Sequence, residues 1–183
     1  MRIAVLALQG AYVEHRRMLD ELGAETFLVR DASDWQGTVD GLVLPGGEST
    51  AMTCQARDNG LWQLLQERIA AGLPVFGTCA GMILLDRSHL NVMDIQAKRN
   101  AYGRQLGSFR TVTRMKGVGE IPMTFIRAPY VESYGDGVEV LAEWEDRVVA
   151  VRQRNMLATA FHPELDGDPA VHRYFLLMAS GKV

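Results

Sequence analysis

The sequence predicts an α/β fold: a mostly parallel, mixed sheet with helices on both faces. Three observations carry this. Short apolar runs alternate with amphipathic segments through the first 85 residues, and a β-α-β-α order gives parallel strands covered on both sides. The first runs lack polar alternation, as strands buried on both faces do. Two β-rich runs, 138–142 and 148–152, flank "EWEDR". They predict a hairpin or edge extension, which makes the sheet mixed.

Each element has its own signal. Residues 3–8 form the first strand. Residues 11–22 space Val13, Met18, Leu19 and Leu22 helically and stop at Gly23, a C′ residue. Residues 27–29 and 41–44 are the second and third strands, the latter halted by Pro45-Gly46-Gly47. Residues 50–59 and 61–71 are helical, punctuated by Gly60 and Gly72. Residues 74–76 are the fourth strand, and 80–85 open the next helix. Asp168-Pro169 supplies an N-cap and an N1 proline for a last helix through Ala179. No repeat, low-complexity stretch or linker interrupts the chain, so residues 1–183 read as one domain. A domain of this size hides roughly 70% of its unfolded surface.

Composition narrows the function classes. The net charge is −3, and Arg16-Arg17 is the densest basic spot, which argues against nucleic acid as a partner. The longest apolar stretch, 73–85, is broken by Pro, Gly and Thr. It falls short of the roughly 20 residues a membrane helix needs. The opening "MRIAVLALQG" reads as a buried strand rather than an export signal. Two cysteines, Cys54 and Cys79, do not make a disulfide scaffold. A reducing cytoplasm, where a thiol stays free, is the expected compartment.

The chemistry concentrates in "VFGTCAGM". Strand, Gly77-Thr78-Cys79-Ala80-Gly81, then helix is the G-x-nucleophile-x-G elbow, in which a strained turn exposes the nucleophile. A helix N-terminus beyond the cysteine favours the thiolate. The alternative is a buried cysteine in a glycine-rich turn. Cys54, mid-helix in "TAMTCQARD", reads as a packing residue. His15 and His172 lie in helical segments and read as surface or satisfied residues, and His89 sits in an irregular segment. His162 stands apart: in "ATAFHPEL" it ends an apolar strand and precedes Pro163, which biases it toward extended geometry. An extended chain puts Glu164 on the same side. Cys79, His162 and Glu164 then fit nucleophile, base and orienter, against a plainer reading of a strand-end histidine beside a surface glutamate. "LPGGEST" lacks the lysine of a phosphate loop. As the loop after the neighbouring strand it reaches Cys79, and the N–H groups of Gly47 and Ala80 then form an oxyanion hole.

Taken in order, "LALQGAYVEH", "LPGGEST", "GTCAG", "RNAYGRQLGSF", "FIRAP" and "FHPEL" resemble the class I (triad) glutamine amidotransferases, and within them the glutaminase subunits of pyridoxal 5′-phosphate synthase. The resemblance implies a flavodoxin-like three-layer sandwich and hydrolysis of L-glutamine to glutamate and ammonia. Ammonia passes to a separate synthase subunit in a hetero-oligomeric complex, on which activity depends. Pyridoxal 5′-phosphate is the product of that complex, so no cofactor and no metal is expected here. Carried over by residue, Cys79, His162 and Glu164 are the triad. Gly47, Glu48, Ser49, Arg99, Ile126 and Arg127 bind glutamine, and Gln9 and Gly10 face the partner. The chain departs in a shorter segment after Leu85, in "RNAYGRQ" for the usual "RNSFGRQ", and in Tyr130 where His is common. Three other readings stay open at this point: a γ-glutamyl hydrolase, a DJ-1-like redox or chaperone protein, and a non-catalytic interaction subunit.

Overall fold

The computed structural model describes residues 1–99 and 107–183. In chain order it contains β1 (Arg2–Leu6), α1 (Tyr12–Glu21), β2 (Glu25–Val29), β3 (Gly41–Leu44), α2 (Ser49–Asp58), α3 (Leu61–Ala70), β4 (Val75–Thr78) and α4 (Ala80–Leu85). Then follow β5 (Ile95–Lys98), β6 (Ser108–Met115), β7 (Gly119–Ile126), β8 (Tyr130–Tyr134), β9 (Glu139–Trp144), β10 (Arg147–Gln153), β11 (Met156–Thr159) and α5 (Ala170–Ala179).

The main sheet runs β2-β1-β3-β4-β11-β10-β8-β5, with β9 paired to β10. Pairings from β2 to β11 are parallel, and β10 starts the antiparallel side. The order 2-1-3-4 followed by β11 is the flavodoxin-like winding. The predicted hairpin is β9–β10. Its turn residues Glu145 and Asp146 both have positive φ, which matches the right-handed twist of the strands they join. β6 and β7 form a separate two-stranded sheet. Its Phe109 and Phe125 stack at 4.7 Å, and Phe125 meets Phe161 of the main core edge to face at 5.8 Å.

β4 shows how the layers are built. Its residues are all buried, and alternate side chains go to opposite faces. Phe76 packs on Phe175 and His172 of α5, and Thr78 touches His15 of α1. α1 and α5 therefore cover one face. On the other side a Cβ on Gly77 would overlap the Gly81 backbone of α4, and one on Gly81 would overlap the Leu44 carbonyl. Both elbow glycines are required by this close approach. Fully burying Phe76 is worth roughly 1.5–3 kcal/mol.

Two details differ from the sequence reading. In α1 the buried residues are His15, Met18 and Leu19, while Val13 is exposed. The inward stripe is i, i+3, i+4 from the histidine. At α5 the helix begins at Ala170 with Pro169 at the N-cap, and Asp168 caps it by accepting the Ala170 N–H at 2.9 Å.

Candidate active site

Four neighbouring parallel strands end at one edge. Leu44 pairs with Gly77 and Thr78 with Thr159, so the loops after β3, β4 and β11 leave the sheet side by side. The loop after β1 joins them: Gly10, at φ +80, lies against the Gly46 carbonyl so closely that a Cβ there would overlap it. This is the edge where open α/β sheets place their ligands.

Cys79 sits at φ 49, ψ −102, a region that costs a residue with a Cβ about 1–3 kcal/mol. Its N–H donates to Thr159 O at 2.8 Å, and its Sγ lies 3.9 Å from Ile126 O. The neighbouring strand thus holds the strained turn in place. His162 follows β11, and its N–H donates to Thr124 O of β7 at 2.8 Å. His162 Nδ1 and Glu164 Oε1 are 2.7 Å apart in a buried setting. The contact arises differently from the extended geometry expected. Residues Pro163–Leu165 form a 3₁₀ turn, and Leu165 N–H donates to His162 O at 3.2 Å. Proline at the first helical position presets that turn.

Burial works against charge on His162, but hydrogen bonds with Cys79 and Glu164 and the Glu164 charge outweigh it and raise its pKa to about 10. The imidazole is held protonated at neutral pH. The ring therefore already carries the proton that a leaving group needs.

A cleft of about 420 Å³ opens over Cys79 and His162, within the range of small-molecule sites. The structure brings Gly47, Glu48, Ser49, Ala80, Arg99, Ile126 and Arg127 to its lining, with Gly10 at the rim. Gln9 stands just behind, against Gly47. Gly46 and Gly47 do not use positive φ. Their need is space, since a Cβ on Gly46 would overlap the His162 ring. Glu48 caps α2, accepting the Ala51 N–H at 2.7 Å, and that bond, with Arg99 nearby, lowers its pKa. Of "RNAYGRQLGSF", residues 100–106 lie outside the described residues.

Sequence reasoning missed part of the site. Arg99 donates to Thr50 Oγ1 at 3.1 Å and to His89 Nε2 at 3.1 Å. His89 Nδ1 in turn lies 2.7 Å from buried Asp86. His89 thus orients a cleft residue, although its segment carries no periodicity. Cys54 is exposed rather than packed. His15 and His172 are fully buried, directly behind Glu164. Their spacing to Met18-Leu19 and to Phe175 was the available signal.

Comparison with known proteins places this site in a family. Residues 5–180 match the SNO glutamine amidotransferase family. The chain is 50% identical to the pyridoxal 5′-phosphate synthase subunit PdxT of Streptococcus pneumoniae strains 70585 and JJA, over 192 aligned positions covering all of each protein. A crystal structure of a glutamine amidotransferase superposes with a TM-score of 0.91 at 42% identity, covering 97% of this chain and 98% of that one. A chain of PurLQS from Thermotoga maritima, 16% identical over 96% and 97% of the two chains, shares the fold with a TM-score of 0.69. The chain belongs to the SNO glutamine amidotransferase family.

Proposed function

We propose that this chain hydrolyses L-glutamine to glutamate and ammonia, and delivers the ammonia to a synthase subunit that makes pyridoxal 5′-phosphate. One domain, residues 1–183, carries the glutaminase step. The observation that carries the reading is the strained Cys79 at a cleft floor beside a His162–Glu164 pair. The family and the PdxT relatives support the substrate and the fate of ammonia.

The chemistry runs as acyl transfer. With His162 already carrying the proton, the Cys79 sulfur attacks the side-chain amide carbon of glutamine. N–H groups of Gly47 and Ala80 hold the oxyanion, where one such donor is worth roughly 3 kcal/mol. His162 protonates the departing ammonia and leaves a γ-glutamyl thioester. Water, deprotonated by His162, then releases glutamate and the Cys79 sulfur. Glu164 orients the ring and stabilises its cation. Glu48, Ser49, Arg99, Ile126 and Arg127 hold the amino acid end of glutamine. The chain brings no metal or cofactor of its own to these steps. Among the described residues no helix is long and apolar enough to cross a membrane, and the reading places the protein in the cytoplasm.

The synthase subunit docks near Gln9-Gly10 and raises the activity through the 46–47 loop that Gly10 touches. Ammonia release from L-glutamine, measured with and without that subunit, tests both parts. Hydrolysis that rises at least tenfold with the subunit is expected. Hydrolysis unchanged by it identifies a free-standing glutaminase. Cleavage of γ-glutamyl peptides but not of glutamine identifies a peptidase, and no hydrolysis under any condition identifies an interaction subunit.

A further inference from the structure

Two histidines behind the site have no part in the reaction just described. His15, on the inner face of α1, and His172, on α5, are both fully buried. His15 Nδ1 lies 2.8 Å from His172 Nε2. On its other side His15 Nε2 lies 3.0 Å from Thr78 Oγ1 and 3.3 Å from Glu164 Oε2. Glu164 Oε2 is buried and forms no hydrogen bond, and the same holds for His172 Nδ1.

Burial lowers the pKa of His15 well below its ordinary value, with further lowering from His172 and His162, and burial alone brings His172 down to about 3. Both rings are neutral, so each carries one hydrogen. Two arrangements satisfy the 2.8 Å contact. In the first, His15 donates from Nδ1 to His172. Its Nε2 lone pair then faces the Glu164 carboxylate at 3.3 Å, and Oε2 is left bare. The second reverses the chain: His172 Nε2–H donates to His15 Nδ1, and His15 Nε2–H donates to Thr78 Oγ1 with Glu164 Oε2 3.3 Å from the same nitrogen. The cost there is one neutral acceptor, His172 Nδ1, without a donor. A bare carboxylate oxygen facing a lone pair costs far more than a bare neutral nitrogen. Oε1 is already engaged by His162 Nδ1 at 2.7 Å, so Oε2 is the carboxylate oxygen left to accept from His15.

We propose that His15, held as its Nε2–H tautomer by His172, is a positioning residue for the triad: its Nε2–H faces Glu164 Oε2 and fixes the carboxylate so that Oε1 stays on His162. The proposal rests on the Cys79–His162–Glu164 reading above. The ionisable groups around Glu164 are His15 from α1, His172 from α5, His162 from its own loop and Cys79 from the elbow. Its carboxylate is fully buried. Without the N–H, no other donor bonds Oε2 among the described residues. The carboxylate is then free to turn, and the hold of Oε1 on the His162 cation loosens.

The test is glutamine hydrolysis by His15→Phe, His15→Gln and Cys79→Ala in the complete complex, with kcat and KM followed from pH 6 to 10.5. His15→Phe keeps an aromatic ring beside Phe76 and lacks the donor. Its kcat is expected to fall about tenfold or more, as loss of an orienting partner does elsewhere, with KM within about twofold. The alkaline limb of kcat shifts to lower pH. His15→Gln returns an amide N–H to the position of Nε2 and restores much of the rate and the limb. Wild-type kcat and pH limb in His15→Phe overturn the proposal, provided Cys79→Ala is inactive. An active Cys79→Ala overturns the triad reading itself. If His15→Phe does not fold, imidazole ¹⁵N shifts of the unsubstituted protein decide. A protonated Nε2 on His15 supports the proposal, and a protonated Nδ1 ends it.

Discussion

The parallel half of the main sheet and the separate β6–β7 sheet divide the work differently. The parallel half, β2-β1-β3-β4-β11, brings four loops to one edge and with them every member of the Cys79–His162–Glu164 set. The separate antiparallel β6–β7 sheet supplies a wall: β7 ends at Ile126, with Arg127 just beyond it over the cleft, and its Thr124 holds the His162 backbone. Parallel strands in register deliver their C-terminal ends to the same height without any contact between the loops. The wall has no such guarantee and is tied down by explicit bonds. The side chain of Asp166, at the end of the turn that carries Glu164, is 2% exposed. It accepts the Thr124 hydroxyl at 2.6 Å and the Thr124 N–H at 3.1 Å, and pairs with Arg110 Nε at 3.0 Å. Position is therefore inherent in one part and fastened in the other.

The largest effect should come from the strained residue of the parallel half. Cys79→Gly and Cys79→Ala are expected to lose at least about 10⁴-fold in kcat for glutamine hydrolysis, the scale of removing a triad member. They should part in stability. Glycine accepts φ 49 freely, so Cys79→Gly should gain about 1 kcal/mol in chemical denaturation, whereas alanine keeps the strain. Exposed Cys54 is the control: Cys54→Ala should change both quantities little. A glutamine analogue that alkylates only Cys54 would contradict the assignment.

The same contrast explains what the sequence disclosed. Apolar runs ending in glycine-flanked turns mark buried parallel strands and their loops, so β1, β3, β4 and the elbow could be read directly. The β6–β7 pair could not. Its inward residues Ile121, Met123 and Phe125 alternate properly, but Pro122 sits among them, and proline argues against an ordinary strand. A two-stranded sheet has a free edge for each strand, which is why Pro122 is tolerated opposite Val112. The His162–Glu164 contact was legible although its geometry was not, because Pro163 serves both an extended residue before it and a 3₁₀ turn after it. Of the two readings open for His15, surface or satisfied, the satisfied one holds, and only its place in the helical stripe was left out because it is polar.

A second prediction probes how tightly the parallel loops converge. Gly46→Ala places a methyl group into the His162 ring position, so the imidazole must move while Cys79 remains. Misplacement of a reacting group by about 1 Å costs roughly a hundredfold in rate. Glutamine hydrolysis should fall by about that factor with Cys79 still alkylated by a glutamine analogue. A wild-type rate would show that the loop gives way instead of the ring.

Loosening the fastened part should do less. Asp166→Ala frees Thr124 and Arg110 and should cost about 1–3 kcal/mol, the penalty for buried groups losing their partner. Activity should fall about tenfold, because His162 hangs from Thr124 O by its backbone. Unfolding curves together with kcat decide. A loss of activity as large as that of Cys79→Ala would mean that the wall, too, belongs to the reacting set.

The smallest expected effect is graded rather than all-or-none, and it separates the two sides of β4. On the α1–α5 side, His15 and His172 are neutral when folded, with pKa values lowered below the ordinary 6.5 by burial. Below pH 6.5 the unfolded chain binds protons that the folded protein refuses. Stability is then full above about pH 6.5 and declines as pH falls toward about 3, by up to about 1.4 kcal/mol per pH unit for each histidine. His162, whose folded pKa is raised to about 10, acts in the opposite sense. Its contribution is complete below pH 6.5 and fades as pH rises through 10. The two trends meet near pH 6.5, where chemical denaturation should find the maximum. His172→Phe should flatten the acid arm alone, and Cys79→Ala, which removes a bond to His162, should shallow the alkaline arm alone. Stability that climbs steadily from pH 6.5 to 9 would show that His162 is not held as a cation in the resting protein.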